Sequence, residues 1–135
     1  RRMTRYMLDT NTVSHLLKRH PVVARRVQST PITALCISAV TQGELLFGLA
    51  RRPEATALHA VVREFLRRVD VLPWDAAEVY GPARAAGQRQ GRVLAPLDLL
   101  IGTHALAVGA VLATNDHAFA QLDGLRVEDW TMDGP

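Results

Sequence analysis

Short apolar runs separated by longer amphipathic stretches constrain this chain more than any other feature. Arg5-Tyr-Met-Leu-Asp9, Ala34-Leu-Cys-Ile-Ser38, Val69 to Leu72 and Ala110-Val-Leu-Ala113 are each too short for a buried helix and rich in residues that fill a sheet interior. Between them lie segments with helical spacing. One runs from about Asn11 to Gln28, with a break expected near Pro21. Others cover Thr41 to Arg51 and Glu54 to Arg68. In the latter, Leu58, Val61, Val62, Phe65 and Leu66 share a face opposite Arg63, Arg67 and Arg68. A further helix is expected to be capped by Asp75, to run to about Gln90, and to be kinked or divided at Pro82. Pro96 opens another, closed by Gly109. A short helix at His117 to Gln121 and a small edge strand within Leu125 to Glu128 complete the pattern.

Strands alternating with helices specify βαβ units, hence an α/β fold with a mainly parallel sheet. Ligands of such sheets bind at the carboxyl ends of the strands, near the switch point. Four acids fall there. Asp9 ends the first strand and Asp116 lies just past the fourth. Asp98 sits in the first turn of the helix opened by Pro96, and Glu44 lies early in the helix after the second strand. Each has an ordinary alternative when taken singly. Asp9 and Asp116 suit turns or helix caps, Asp98 favours a helix dipole, and Glu44 suits a helix surface. Together they predict one carboxylate cluster. Such a cluster costs several kcal/mol in repulsion and desolvation, on the order of 3–5, unless a cation neutralises it. Oxygen ligands select Mg²⁺ or Mn²⁺ over zinc, and that chemistry activates water against a phosphodiester.

Composition narrows the alternatives. A chain of 135 residues, 48% hydrophobic and 21% charged, is one domain with a substantial core. Cys36 stands alone, so neither an intrachain disulfide nor a cysteine-based zinc site is available, and it reads as a core residue. Met3 reads as a natural start with Arg1 and Arg2 added ahead of it. Dropping those two takes the net charge from +3 to +1, so charge alone argues little for nucleic acid. Almost every cation is Arg, since Lys18 is the only lysine. Asp9 interrupts the first apolar run too early for a signal peptide. The stretch from Leu99 to Ala113 is too short, and too polar at His104, to span a bilayer. A soluble, cytoplasmic protein is expected.

Four motifs then occur in order: Met7-Leu-Asp-Thr-Asn11, Ile37-Ser-Ala-Val-Thr-Gln-Gly-Glu-Leu45, Pro96-Leu-Asp-Leu-Leu-Ile101 followed by Ala105, and Ala113-Thr-Asn-Asp-His-Ala-Phe119. The ending Leu125-Arg-Val-Glu-Asp-Trp130 accompanies them. In these the chain resembles PIN-domain ribonuclease toxins of the VapC type, from bacterial toxin–antitoxin modules, over nearly its whole length. The resemblance implies a three-layer α/β/α fold over residues 3–131, with 132–135 as a tail. It also implies an Mg²⁺- or Mn²⁺-dependent endoribonuclease that inhibits translation. By position, Asp9, Glu44 and Asp98 are the core metal ligands and Asp116 the fourth acid. Asn11, Thr114, Asn115 and Ser38 match polar positions that support such sites. The implied partners are a VapB-like antitoxin, a second copy of the chain, and a structured RNA such as initiator tRNA or a ribosomal RNA loop. Two departures, Gly102-Thr103 and Pro82, bear on helix geometry and oligomer packing.

Arg51, Arg52, Arg84, Arg89 and Arg92 are candidates to track an RNA backbone, against the plainer reading of a solvated helix face. The histidines show no metal-ligand spacing, and His104 reads as structural; Trp74 and Trp130 read as packing residues. A haloacid-dehalogenase-like phosphatase would need a second Asp where Asn11 stands and a later Lys that the chain lacks. The remaining alternative is a catalytically silent PIN-fold regulator that binds RNA or protein, which an incomplete acidic set would favour.

Overall fold

The computed structural model describes residues 3–133, so the readings of Arg1, Arg2 and the last two tail positions lie outside the described residues. Five strands form one sheet: β1 (Tyr6–Leu8), β2 (Leu35–Ser38), β3 (Asp70–Leu72), β4 (Val111–Ala113) and β5 (Val127–Glu128). Their order is β3-β2-β1-β4-β5, and every pairing is parallel. Six helices connect them: α1 (Thr10–Leu17), α2 (Pro21–Gln28), α3 (Ala39–Ala50), α4 (Thr56–Arg68), α5 (Ala77–Arg89) and α6 (Pro96–Val108). Residues 117–121 form a 3₁₀ turn. The chain moves outward from β1 to β2 and β3, then returns to the other side of β1 for β4. The switch point therefore lies between β1 and β4.

Strand alternation divides the core in two. Leu8, Leu35, Ile37 and Ala113 face one way and meet Val13, Val23, Val62 and Trp130. Met7, Cys36 and Leu112 face the other and meet Ile101, Ala105, Phe119 and Leu122. Helix α3 serves both clusters, with Leu45 and Leu49 in the first and Val40 against the second. The layers are thus α/β/α. Cys36 is a core residue as expected, its thiol pushed up to about 11 chiefly by burial.

The first helical segment breaks near Pro21 as expected, because the chain turns through Arg19 at φ 62° and restarts with His20 as cap and Pro21 at the first position. Three expectations about helices need correction. Asp75 does not cap α5. The cap position is Ala76, which makes no side-chain cap bond, so Asp75 falls one residue too early and Glu78 supplies the acid of the first turn. Pro82 does not divide α5 either: the helix runs unbroken from Ala77 to Arg89, with Pro82 on an exposed face where solvent meets the carbonyl left without a donor. Helix α3 also starts earlier than expected, because Ser38 caps it.

Gly102 has a packing reason. A Cβ there would stand 2.3 Å from Leu122 Cδ1 and 3.2 Å from Phe119 Cδ1. The missing side chain lets α6, which carries Asp98, close onto the 3₁₀ turn that follows Asp116. Trp130 is 1% exposed and stacks near Tyr6 at 5.3 Å, with the Arg26 guanidinium 4.8 Å above it. Its Nε1 donates to Glu128 Oε1, which also accepts from Arg26, so Glu128 and Trp130 are clamped to α2. Trp74 is likewise a packing residue, half-buried and donating to the Leu100 carbonyl at 2.9 Å.

Candidate metal centre

Asp9 leaves β1 in an extended conformation and caps α1, accepting the Thr12 amide on Oδ1 at 2.8 Å. Its backbone amide donates to the Ala113 carbonyl, and Thr12 Oγ1 donates to that same oxygen, so the ends of β1 and β4 are stitched together. The carboxylate is only 3% exposed. Burial pushes its pKa up, hydrogen bonds from Thr114 and Thr12 partly oppose that, and the Asp116 charge adds to the rise. The cap role and the acidic role thus coexist in one side chain.

Asp116 follows β4. Its amide donates to Thr114 Oγ1 at 3.0 Å and its Oδ1 accepts from the Ala118 amide, which starts the 3₁₀ turn. Asp98 lies in the first turn of α6. Its pKa is raised first by burial, then by the charges of Asp116, Asp9 and Glu44 in that order. Glu44 lies midway along α3, where Thr10 Oγ1 stands 3.2 Å from its Oε1. Asp98 therefore feels the other three acids, and Asp9 feels Asp116, at the carboxyl edge of the sheet. No Arg or Lys contributes to the shift of Asp9 or Asp98.

Four hard oxygen donors with uncompensated like charge fit a divalent cation of the Mg²⁺ or Mn²⁺ kind by donor chemistry. As the side chains stand, no group of three acids among the described residues is close enough to hold one ion.

The supporting positions divide. Thr114 is buried and joins Asp9 to Asp116. Asn11 is exposed on the first turn of α1 and Asn115 is half-buried beside Asp116. Ser38 is fully buried, but its bonds go elsewhere: Oγ accepts from the Val40 amide and lies 2.7 Å from His104 Nδ1. It joins α6 to the start of α3 and makes no bond to an acid. His104 is structural as expected. The residues that sequence reasoning passed over are Thr10, Thr12 and Thr41. Thr10 and Thr12 flank Asn11 in the first motif, so their adjacency to Asp9 was the available signal; Thr41 carries none without the fold.

The arginine candidates are scattered. Arg51 ends α3 with its guanidinium 4.9 Å above the Phe47 ring, and Arg52 is exposed beside it. Arg84 bonds Tyr80 Oη, and Arg89 is exposed. Arg92 is committed to Asp123 and the Gln121 carbonyl. Arg84 and Arg92 border a groove of about 360 Å³ between α5 and α6, floored by Leu94, Leu99 and Leu122.

The parallel sheet and the acids at its switch point define the class: a doubly wound α/β domain with carboxylates gathered where β1 and β4 part. The family model described as PIN domain matches residues 6–125. The chain is 37% identical over 132 residues to the tRNA(fMet)-specific endonuclease VapC of Shigella flexneri, covering 96% of this chain and all of that protein. It is 36% identical to the protein of the same description from Salmonella typhimurium, over 95% of this chain and 99% of that one. The crystal structure of DNA-bound VapBC from Salmonella typhimurium superposes with a TM-score of 0.88 at 36% identity, covering 95% and 99% of the two chains. The chain belongs to the PIN-domain family and, within it, to the VapC ribonucleases.

Proposed function

We propose that this chain is a divalent-metal-dependent endoribonuclease, the toxin of a toxin–antitoxin pair, with initiator tRNA as its substrate class. The observation that carries the reading is that buried Asp9 and half-buried Asp98 meet at the switch point, where Asp98 feels the charges of Asp116, Asp9 and Glu44 and no cationic side chain contributes to its shift. Full-length similarity to two tRNA(fMet)-specific endonucleases supports the substrate. Asp9, Glu44, Asp98 and Asp116 would hold the ion, Mg²⁺ or Mn²⁺. When bound, it supplies positive charge that makes a water more acidic and steadies charge developing on the phosphate. Thr114 holds Asp9 and Asp116 in place; Asn11 and Asn115 stand at the rim, where they can meet ligands or water. Arg51 and Arg52 extend from the Glu44 helix toward a bound RNA backbone, while Arg84 and Arg89 are outlying contacts. Arg92 is the weakest member of that set, being paired with Asp123.

The partner is a VapB-like antitoxin, as in the VapBC complexes this fold superposes on. The active unit is a homodimer of single nuclease domains spanning residues 3–131, and exposed Phe47, Val93 and Leu97 supply apolar surface for such contacts. Among the described residues no helix is long and apolar enough to cross a membrane. The compartment that fits an RNA substrate of translation is the cytoplasm.

The test is incubation of antitoxin-free protein with total bacterial RNA and initiator tRNA in Mg²⁺ or Mn²⁺. EDTA, Asp9→Asn and Asp98→Asn serve as controls. Discrete cleavage that needs metal and both carboxylates supports the reading. Cleavage that persists in both variants rejects the site, and inertness of the folded wild type favours a silent RNA- or protein-binding regulator.

A further inference from the structure

Thr10 Oγ1 stands 3.2 Å from Glu44 Oε1 and 3.3 Å from Thr41 Oγ1. One hydroxyl carries one proton, so it cannot donate in both directions. Thr41 decides the direction. Its side chain is fully buried, and Thr10 is its only side-chain partner among the described residues. A carboxylate is a far stronger acceptor than a second hydroxyl. The consistent arrangement has Thr41 donating to the Thr10 oxygen and Thr10 donating to Glu44. Thr41 and Glu44 are three residues apart on α3 and share a face, while Thr10 is the first residue of α1, directly after Asp9.

We propose that Thr10 and Thr41 are positioning residues for Glu44: a two-hydroxyl relay that fixes Oε1 and leaves Oε2 for a divalent cation. The relay rests on the nuclease reading above. It also couples Asp9 to Glu44 through one peptide unit, so two acids from different helices move together. Glu44 needs such help because it projects from mid-helix, whereas Asp9 and Asp116 are held by backbone amides.

The experiment is Mn²⁺ binding by isothermal titration to the wild type and to Thr10→Val, Thr10→Ser, Thr41→Val, Thr41→Ser and Thr10→Val/Thr41→Val. Thermal unfolding confirms that each is folded, and Glu44→Gln serves as the control for the acid itself. Loss of the Thr10 hydroxyl should weaken Mn²⁺ binding about tenfold, the lower end of what hydrogen-bond partners of metal ligands contribute. Thr10→Ser and Thr41→Ser should restore it to within about twofold. The double variant should be no weaker than Thr10→Val alone, because the relay is already broken at its last step. RNA cleavage should recover in Thr10→Val as Mn²⁺ is raised. Wild-type affinity in folded Thr10→Val, failure of serine to rescue, or additive losses in the double variant each overturn the relay while leaving the nuclease reading intact. A wild type that binds no Mn²⁺, or a Glu44→Gln protein that binds as wild type does, overturns the metal site and the relay with it.

Discussion

Replacing Asp98 by Asn should abolish RNA cleavage and, in EDTA, make the protein more stable. Burial and the charges of Asp116, Asp9 and Glu44 all raise the pKa of Asp98 in the folded chain. A raised folded value means that the folded state binds the proton more tightly. The carboxyl therefore costs nothing below its unfolded pKa of about 4, and an ionisation penalty grows as pH rises through the folded value. Without metal the penalty is therefore present at neutral pH and absent well below about pH 4. Asp98 is only half-buried, so solvent screening keeps each like-charge contact to about 0.2–0.5 kcal/mol, and with desolvation the total is about 1.5 kcal/mol. The position at the start of α6 offsets about 0.5 kcal/mol of this through the helix dipole. The net gain from Asn is about 1 kcal/mol, or roughly 3–5 °C in a domain of this size. Saturating Mn²⁺ reverses the order, since an ion present at 100 times its Kd stabilises the wild type by about 2.7 kcal/mol and the variant far less. Thermal melts at pH 7.5, in EDTA and then across a Mn²⁺ titration, read both effects. An Asp98→Asn protein that is less stable than wild type in EDTA, or that gains as much from Mn²⁺, would refute the reasoning: the carboxylate would then be structural.

Two further outcomes follow from the packing around the site. Burial lowers the His104 pKa, with Asp75 partly opposing, so the unfolded chain binds that proton more readily. Stability should fall as pH drops below about 6.5, and urea unfolding at pH 7.5 and 5.5 should show a smaller loss for His104→Asn, which keeps a polar atom near Ser38. Trp130→Ala should cost about 3–5 kcal/mol, while Trp130→Phe should cost about 1 kcal/mol through the lost bond to Glu128, both read by urea denaturation.

Much of the fold was legible because its signals are local. Short apolar runs bounded by turns gave four of the strands, and the position of each acid relative to a strand end or helix start held for Asp9, Asp98 and Asp116. The failures are also local in cause. Helix starts depend on which residue makes the cap bond, and Asp75 lies one position from the one that matters. Pro82 breaks a helix only if burial leaves the freed carbonyl without water, which sequence does not report. The arginines share a charge but not a surface, and Arg92 is consumed by Asp123, more than thirty residues along the chain.

By itself the sequence determined the alternation of strands and helices, and with it the parallel sheet and the edge on which its acids gather. Periodicity and chain order carry that information without distant contacts. Only the tertiary structure decided what each polar side chain does at that edge. Asp9 is at once a helix cap and a buried acid, Ser38 turns to His104 and away from the acids, and Thr10 reaches Glu44 across 34 positions of sequence. Hydrogen-bond partners are fixed by distance and direction in space, and neither is written in spacing along the chain.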